Sequence, residues 1–193
     1  MDEAVSTRLP SEINLHVKRT PKFKTVYSVL TMHSDLSWEA ATKNALLPTV
    51  LRRGTRRYPL TVDLMRHLDR LYGAALTASV GKRGERHLII LGMEVANAKY
   101  LPDEDDLVEV GLRSLWELAF DPATVDGAFR RDYVDQEKVN LERRIRSIID
   151  DKHAYAFKRC TEEMFSEEPM RVHKLGRVED VHPVTPGTLA DWY

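Results

Sequence analysis

Apolar and polar positions alternate near the start of the chain. Ile13, Leu15 and Val17 are separated by Asn14, His16 and Lys18, the two-residue period of a strand with one buried face. Pro21 and Lys22 mark a turn, and Phe23 to Met32, rich in Val, Tyr and Thr, reads as a second strand. The two are expected to pair antiparallel. Residues 1–10 are polar and read as a flexible arm, with the domain proper over 11–193.

From Ser34 the period becomes helical. Ser34, Asp35 and Ser37 are N-cap candidates, and Glu39 falls in the first turn. Trp38, Ala41, Ala45, Leu46 and Val50 recur at the spacing of a core-facing stripe. Pro48 interrupts it and predicts a kink at a cost of roughly 3 kcal/mol. Gly54 reads as the C-terminal stop. Thr61, after Pro59, reads as the N-cap of a second helix carrying Val62, Met65, Leu68, Leu71 and Tyr72. Ala75 to Val80 and His87 to Val95 read as a hairpin around a Gly-Lys-Arg-Gly-Glu turn, and Asp105 to Phe120 as a third helix. Phe129 to Phe165 is the longest helical region, with a break at Asp150-Asp151. Thr185-Pro186 caps a last helix, whose Leu189, Trp192 and Tyr193 are apolar without an evident partner. Strands, helices, strands and helices in this order predict an α+β fold: an antiparallel sheet with helices packed on one face.

Composition narrows the function classes. A net charge of -1 over 193 residues implies neither nucleic acid nor membrane as partner. The single cysteine, Cys160, excludes an internal disulfide and fits a reducing, cytoplasmic compartment. No apolar run suits a signal peptide or a membrane span. The seven histidines are scattered. Among other titratable groups, Glu137 and Glu142 read as solvated helix-face acids. Arg52, Arg53, Arg56 and Arg57 form a basic turn that either compensates a helix end or contacts a peptide or partner.

The run Ala45-Leu46-Leu47-Pro48-Thr49-Val50-Leu51-Arg52-Arg53-Gly54-Thr55 resembles the signature helix of the pitrilysin/insulinase-type zinc metallopeptidases, which include the mitochondrial processing peptidases. There, His-x-x-Glu-His puts two imidazoles one turn apart on a zinc ion, with the glutamate as general base. Aligned on Gly54-Thr55, Ala45 and Thr49 occupy the ligand positions and Pro48 that of the base. The third ligand ends a Glu-x6-Glu pattern; Glu137 matches its first member, and Arg144 stands at the ligand position. Leu71 to Ala74, Glu137 to Leu141 and Val184-Thr185-Pro186 fit later stages of the same pattern, so the likeness covers nearly the whole chain.

The resemblance implies the first, C-terminally incomplete domain of a longer polypeptide, of a bacterial branch lacking the metal motif. It implies no catalytic or metal residues, and a role beside an active metallopeptidase relative, or another copy of itself, in enclosing a peptide substrate. Elongation-factor modification and bacteriocin maturation are both associated with such proteins. Two alternatives stand beside this reading. One is an active zinc peptidase whose site gathers His33, His67 or His153; the other is a nucleic-acid module built on the basic turn.

Overall fold

The computed structural model describes residues 4–10, 12–101 and 106–193. The alternation near the N-terminus forms strand β2, Asn14–Lys18, but its partner is β1, Ala4–Arg8. Residues 4–8 of the expected loose arm are thus an antiparallel strand. The expected pairing of β2 with the strand that follows is not made. That strand, β3 (Thr25–Asp35), instead pairs along its whole length with a later one. An eleven-residue strand gains a full ladder this way, which the five-residue β2 cannot match.

Helix α1 spans Trp38–Leu51, capped by the Ser37 hydroxyl, and α2 spans Thr61–Arg70; Thr61 is not its N-cap but its first helical residue, because its hydroxyl is committed to the Arg53 carbonyl. The predicted hairpin follows as β4, Ala75–Arg83, and β5, Arg86–Ala96. The sheet order is β3-β5-β4, all antiparallel. Helix α3, Leu107–Phe120, is capped by Asp106; the expected helix start at Asp105 lies outside the described residues. Two short strands, Thr124–Val125 (β6) and Ala128–Phe129 (β7), form a tight hairpin. Helix α4, Arg131–Arg146, runs through one 3-10 turn to α5, Lys152–Met164, whose N-cap is Asp151. The Asp-Asp pair marks the break, as expected. Helix α6, Pro186–Trp192, begins with the Thr185 cap and Pro186 in its first turn.

One face of the sheet carries the core. Leu30, Leu91 and Ala78 stand side by side across the three strands, as do Met32, Ile89 and Val80. These residues, with Met93 and Val95, pack under α1, α2 and α3. The opposite face shows Tyr27, Val29 and Thr31 to solvent. The architecture is the predicted α+β layer with helices on one face.

Candidate functional site

Helix α1 is the centre of the molecule. Its buried residues are not one stripe; Ala40, Ala41, Thr42, Asn44, Ala45, Leu46, Leu47, Pro48, Val50 and Leu51 are all inside. A helix apolar on every side is one surrounded by other elements, here the sheet, α4 and α6. Pro48 lies within the helix, fully buried, and the helix continues a further turn. The stop is not a left-handed glycine. Gly54 lacks positive φ; a Cβ on it would lie 2.7 Å from the Tyr58 carbonyl oxygen and 2.9 Å from that of Pro59. Glycine is needed there because the chain folds back tightly on itself.

The positions expected to mark a degenerate metal site offer nothing to a divalent cation. Ala45 presents a methyl group and is 1% exposed. Pro48 presents a ring. The Thr49 hydroxyl donates to the Leu46 carbonyl at 2.7 Å, inside its own helix. Arg144 is an exposed cation on α4. Zinc is held by imidazole, thiolate or carboxylate, so the residues present do not fit it. The three histidines of the active-peptidase alternative sit on separate elements: His33 on β3, His67 on α2 and His153 on α5. Both ring nitrogens of His67 are engaged, Nδ1 with the Tyr58 hydroxyl at 3.2 Å and Nε2 with Ser114 Oγ at 3.0 Å. Among the described residues no three His, Cys, Asp or Glu converge in a way that would hold a metal ion.

Glu137 and Glu142 have defined partners. Glu137, only 8% exposed, accepts hydrogen bonds from the Arg53 guanidinium, through Nε at 2.7 Å and also through Nη2. It is therefore a buried anchor between the turn after α1 and the middle of α4, not the solvated helix-face acid its sequence suggested. Glu142 pairs with Arg146 one turn along α4 at 2.5 Å and stands 4.0 Å from His182.

The basic turn is also mostly spent on the domain itself. Besides the Arg53 pair, Arg56 meets Asp121 at 2.8 Å and Arg57 meets Glu117 at 3.6 Å. The main chain joins in: Arg56 N–H donates to the Asp121 carbonyl, and Thr55 bridges to Pro122. Arg52 alone of the four has no ion pair among the described residues. It lines a shallow depression with Met65, Asp69, Ala75 and Leu76, next to the first residues of edge strand β4.

A second cluster was not visible in the sequence. Asn44, 2% exposed, donates to Ser34 Oγ at 3.0 Å and to His87 Nδ1 at 3.1 Å, and accepts from the Trp192 indole at 2.9 Å. Lys43 lies over the Trp192 ring, and the Tyr193 hydroxyl donates to the Ala119 carbonyl at 2.7 Å. The terminal aromatics thus have partners and tie α6 to α1 and α3. Beside them, at the N-terminal half of α1, lies a surface groove of about 530 Å³ whose walls include Trp38, Thr42, Arg177 and Val184. Arg177 stacks on Trp38 and bonds Asp180. Gly176, at φ +72, brings its backbone so close to α1 that a Cβ would meet Thr42 Oγ1 at 2.0 Å. An asparagine at a helical core position followed by a Gly-x8-Thr-Pro segment was the available signal, and periodicity alone does not read it.

No family model matches the sequence. Over 181 residues the chain is 42% identical to "Probable inactive metalloprotease YmfF" of Bacillus subtilis (strain 168), covering 94% of this chain and 42% of that protein. The crystal structure of a conserved protein from Enterococcus faecalis V583 superposes with a TM-score of 0.90 at 31% identity, over 98% of this chain and 45% of that one. The crystal structure of a peptidase M16 inactive domain from Pseudomonas fluorescens has the same fold, with a TM-score of 0.73 at 12% identity, over 98% of this chain and 42% of that one. The chain spans less than half the length of these relatives. No helix among the described residues is long and apolar enough to cross a membrane. Identity of 42% along nearly the whole sequence to a protein named an inactive metalloprotease, together with the fold of an M16 peptidase inactive domain, agrees with the resemblance to the pitrilysin/insulinase-type metallopeptidases.

Proposed function

We propose that this chain is the peptide-holding, non-catalytic part of an M16-type protein that works beside an active relative. One observation carries the reading: a methyl group, a proline ring, a hydroxyl bonded to its own helix and a guanidinium occupy the positions where the family's metal and base belong. None of these can polarise a water molecule for attack. The name borne by the Bacillus subtilis relative supports the same conclusion.

Strand β4 supplies what a clamp needs. It is an edge of the sheet, and edge main-chain groups are a template for an extended peptide. Arg52, with no ion pair among the described residues and next to the first residues of β4, suits a carboxylate on such a peptide. The basic turn does not favour nucleic acid, because three of its four cations are neutralised within the domain. Cys160 without a cysteine partner fits a reducing compartment.

Two measurements test the proposal. Protein dialysed free of chelator should contain far less than one zinc per chain by atomic absorption. A panel of unstructured peptides should bind and remain uncut. One tightly held zinc per chain, or cleavage that a chelator abolishes, would overturn it. Co-purification of an active M16 relative with the chain from its native host tests the partnership, and a strictly solitary protein would count against it.

A further inference from the structure

Two apolar surfaces of opposite charge balance are left open on the same chain. The first is the β1–β2 hairpin. Val5 pairs across from Val17 and Thr7 from Leu15, so these four side chains share a face. Every residue of both strands is exposed, with Val5 at 58% and Val17 at 51%. The strands pack on each other and on no other element to a comparable extent. A lone two-stranded hairpin is marginal in water, and this one presents its apolar side to solvent. Phe23, between the hairpin and β3 in sequence, is 64% exposed. Up to Lys24 the sequence carries five cations, Arg8, Lys18, Arg19, Lys22 and Lys24, against three acids, Asp2, Glu3 and Glu12.

The second surface is α5. Thr161 is its one buried residue. Phe157, Cys160 and Met164 follow one another at three and four residues, the spacing of a single helical stripe. Phe157 is 73% and Met164 69% exposed, and Ile149 just upstream is 61% exposed. From Ser147 to Glu168 the balance is acidic: Asp150, Asp151, Glu162, Glu163, Glu167 and Glu168 against Lys152, Lys158 and Arg159.

We propose that the β1–β2 hairpin of one chain docks on the apolar face of α5 in a second copy. The basic border of the hairpin then meets the acidic ends of the helix. The inference goes beyond the peptide-holding role and does not depend on it. Opposite signs at the rims steer the encounter and fix its register, and the apolar stripe and face are removed from water together. A contact between two different patches of the same molecule is head-to-tail; two chains that exchange hairpins reciprocally close it as a pair.

Sedimentation velocity on the 193-residue chain, over a range of protein concentrations and at low and high salt, is the experiment. Concentration-dependent association that weakens at high salt is expected. Arg19→Glu with Lys22→Glu should weaken it by about tenfold at low salt; these side chains are exposed, so the fold should be untouched. Adding Glu167→Lys and Glu168→Lys to the same chain should restore association. Val17→Asp should abolish it without changing the far-ultraviolet circular dichroism. A chain that stays monomeric to about millimolar concentration, association indifferent to Val17→Asp, or a four-site charge exchange that restores nothing would each overturn the proposal.

Discussion

At Arg53 and Glu137 the chain has turned a pair of ordinary residue types into a buried tie. The Glu137 side chain is 10% exposed and that of Arg53 21%. Removing only the cation leaves a charge out of water without a partner, the expensive half of such a pair. Arg53→Ala is therefore expected to cost about 2–3 kcal/mol in urea unfolding, toward the low end because of that residual exposure. Replacing both, as Arg53→Met with Glu137→Leu, should recover most of the loss. If the single and double variants unfold alike, the pair is not the tie described. The arginines were legible in the sequence as a cluster, but their employment was not. Three of the four find acids 60 to 84 positions away, at Glu117, Asp121 and Glu137, and no local pattern encodes such a distance. The substitutions at Ala45, Pro48, Thr49 and Arg144 were legible because a missing ligand is a property of residue type.

Among elements, the helices and the β4–β5 hairpin follow from periodicity and caps: Ser37, Asp106, Asp151 and Thr185 all accept the bonds their residue types favour. Strand pairing was less legible. Proximity in sequence favoured β2 with β3, but β3 has eleven residues and β5 offers eleven partners. The segment after α5 adds an electrostatic device. Lys82 Nζ donates to the Met170 and Val172 carbonyls at 2.7 and 3.1 Å. Beside it, burial first and then Lys158, Lys82 and Lys174 hold the His173 imidazole down to about 4, with Glu162 opposing. His87 is lowered by burial and by the same Lys174 and Lys82 charges, against a hydrogen-bonding contribution from the Lys174 main chain. Both groups are neutral in the folded chain below the ordinary histidine value of 6.5, where the unfolded chain takes up protons. The unfolded state then binds more protons, so stability is complete above pH 6.5 and falls as the pH drops toward 4. Urea midpoints measured from pH 7 to pH 4 should show this decline. His173→Gln should flatten it, and an unchanged slope in that variant would assign the acid lability elsewhere.

For the whole molecule, α1 and α4 must stand in the family's relation for the ligand positions to be a site at all. The Arg53–Glu137 tie sets α4 against the end of α1, and the helices stay packed beyond it. Arg144 lies seven residues past Glu137, about 10 Å along the helix at 1.5 Å per residue. Ala45 and Thr49 lie eight and four residues back from Arg53 on α1. If these positions converge, ligands placed there should find one ion. Ala45→His, Pro48→Glu, Thr49→His and Arg144→Glu together are expected to yield a chain that takes up one zinc and melts higher in its presence. Histidine at Ala45, a position 1% exposed, overpacks the core by about 1–3 kcal/mol. A tetrahedral zinc site returns roughly 10 kcal/mol or more, enough to cover that cost. The variant lacking only the Arg144→Glu change should bind more weakly, since it has one ligand fewer and keeps a cation at the site. Calorimetric titration with zinc decides: uptake that does not depend on residue 144 would mean that α4 does not face the two α1 positions, and the alignment on Gly54-Thr55 would fall with it.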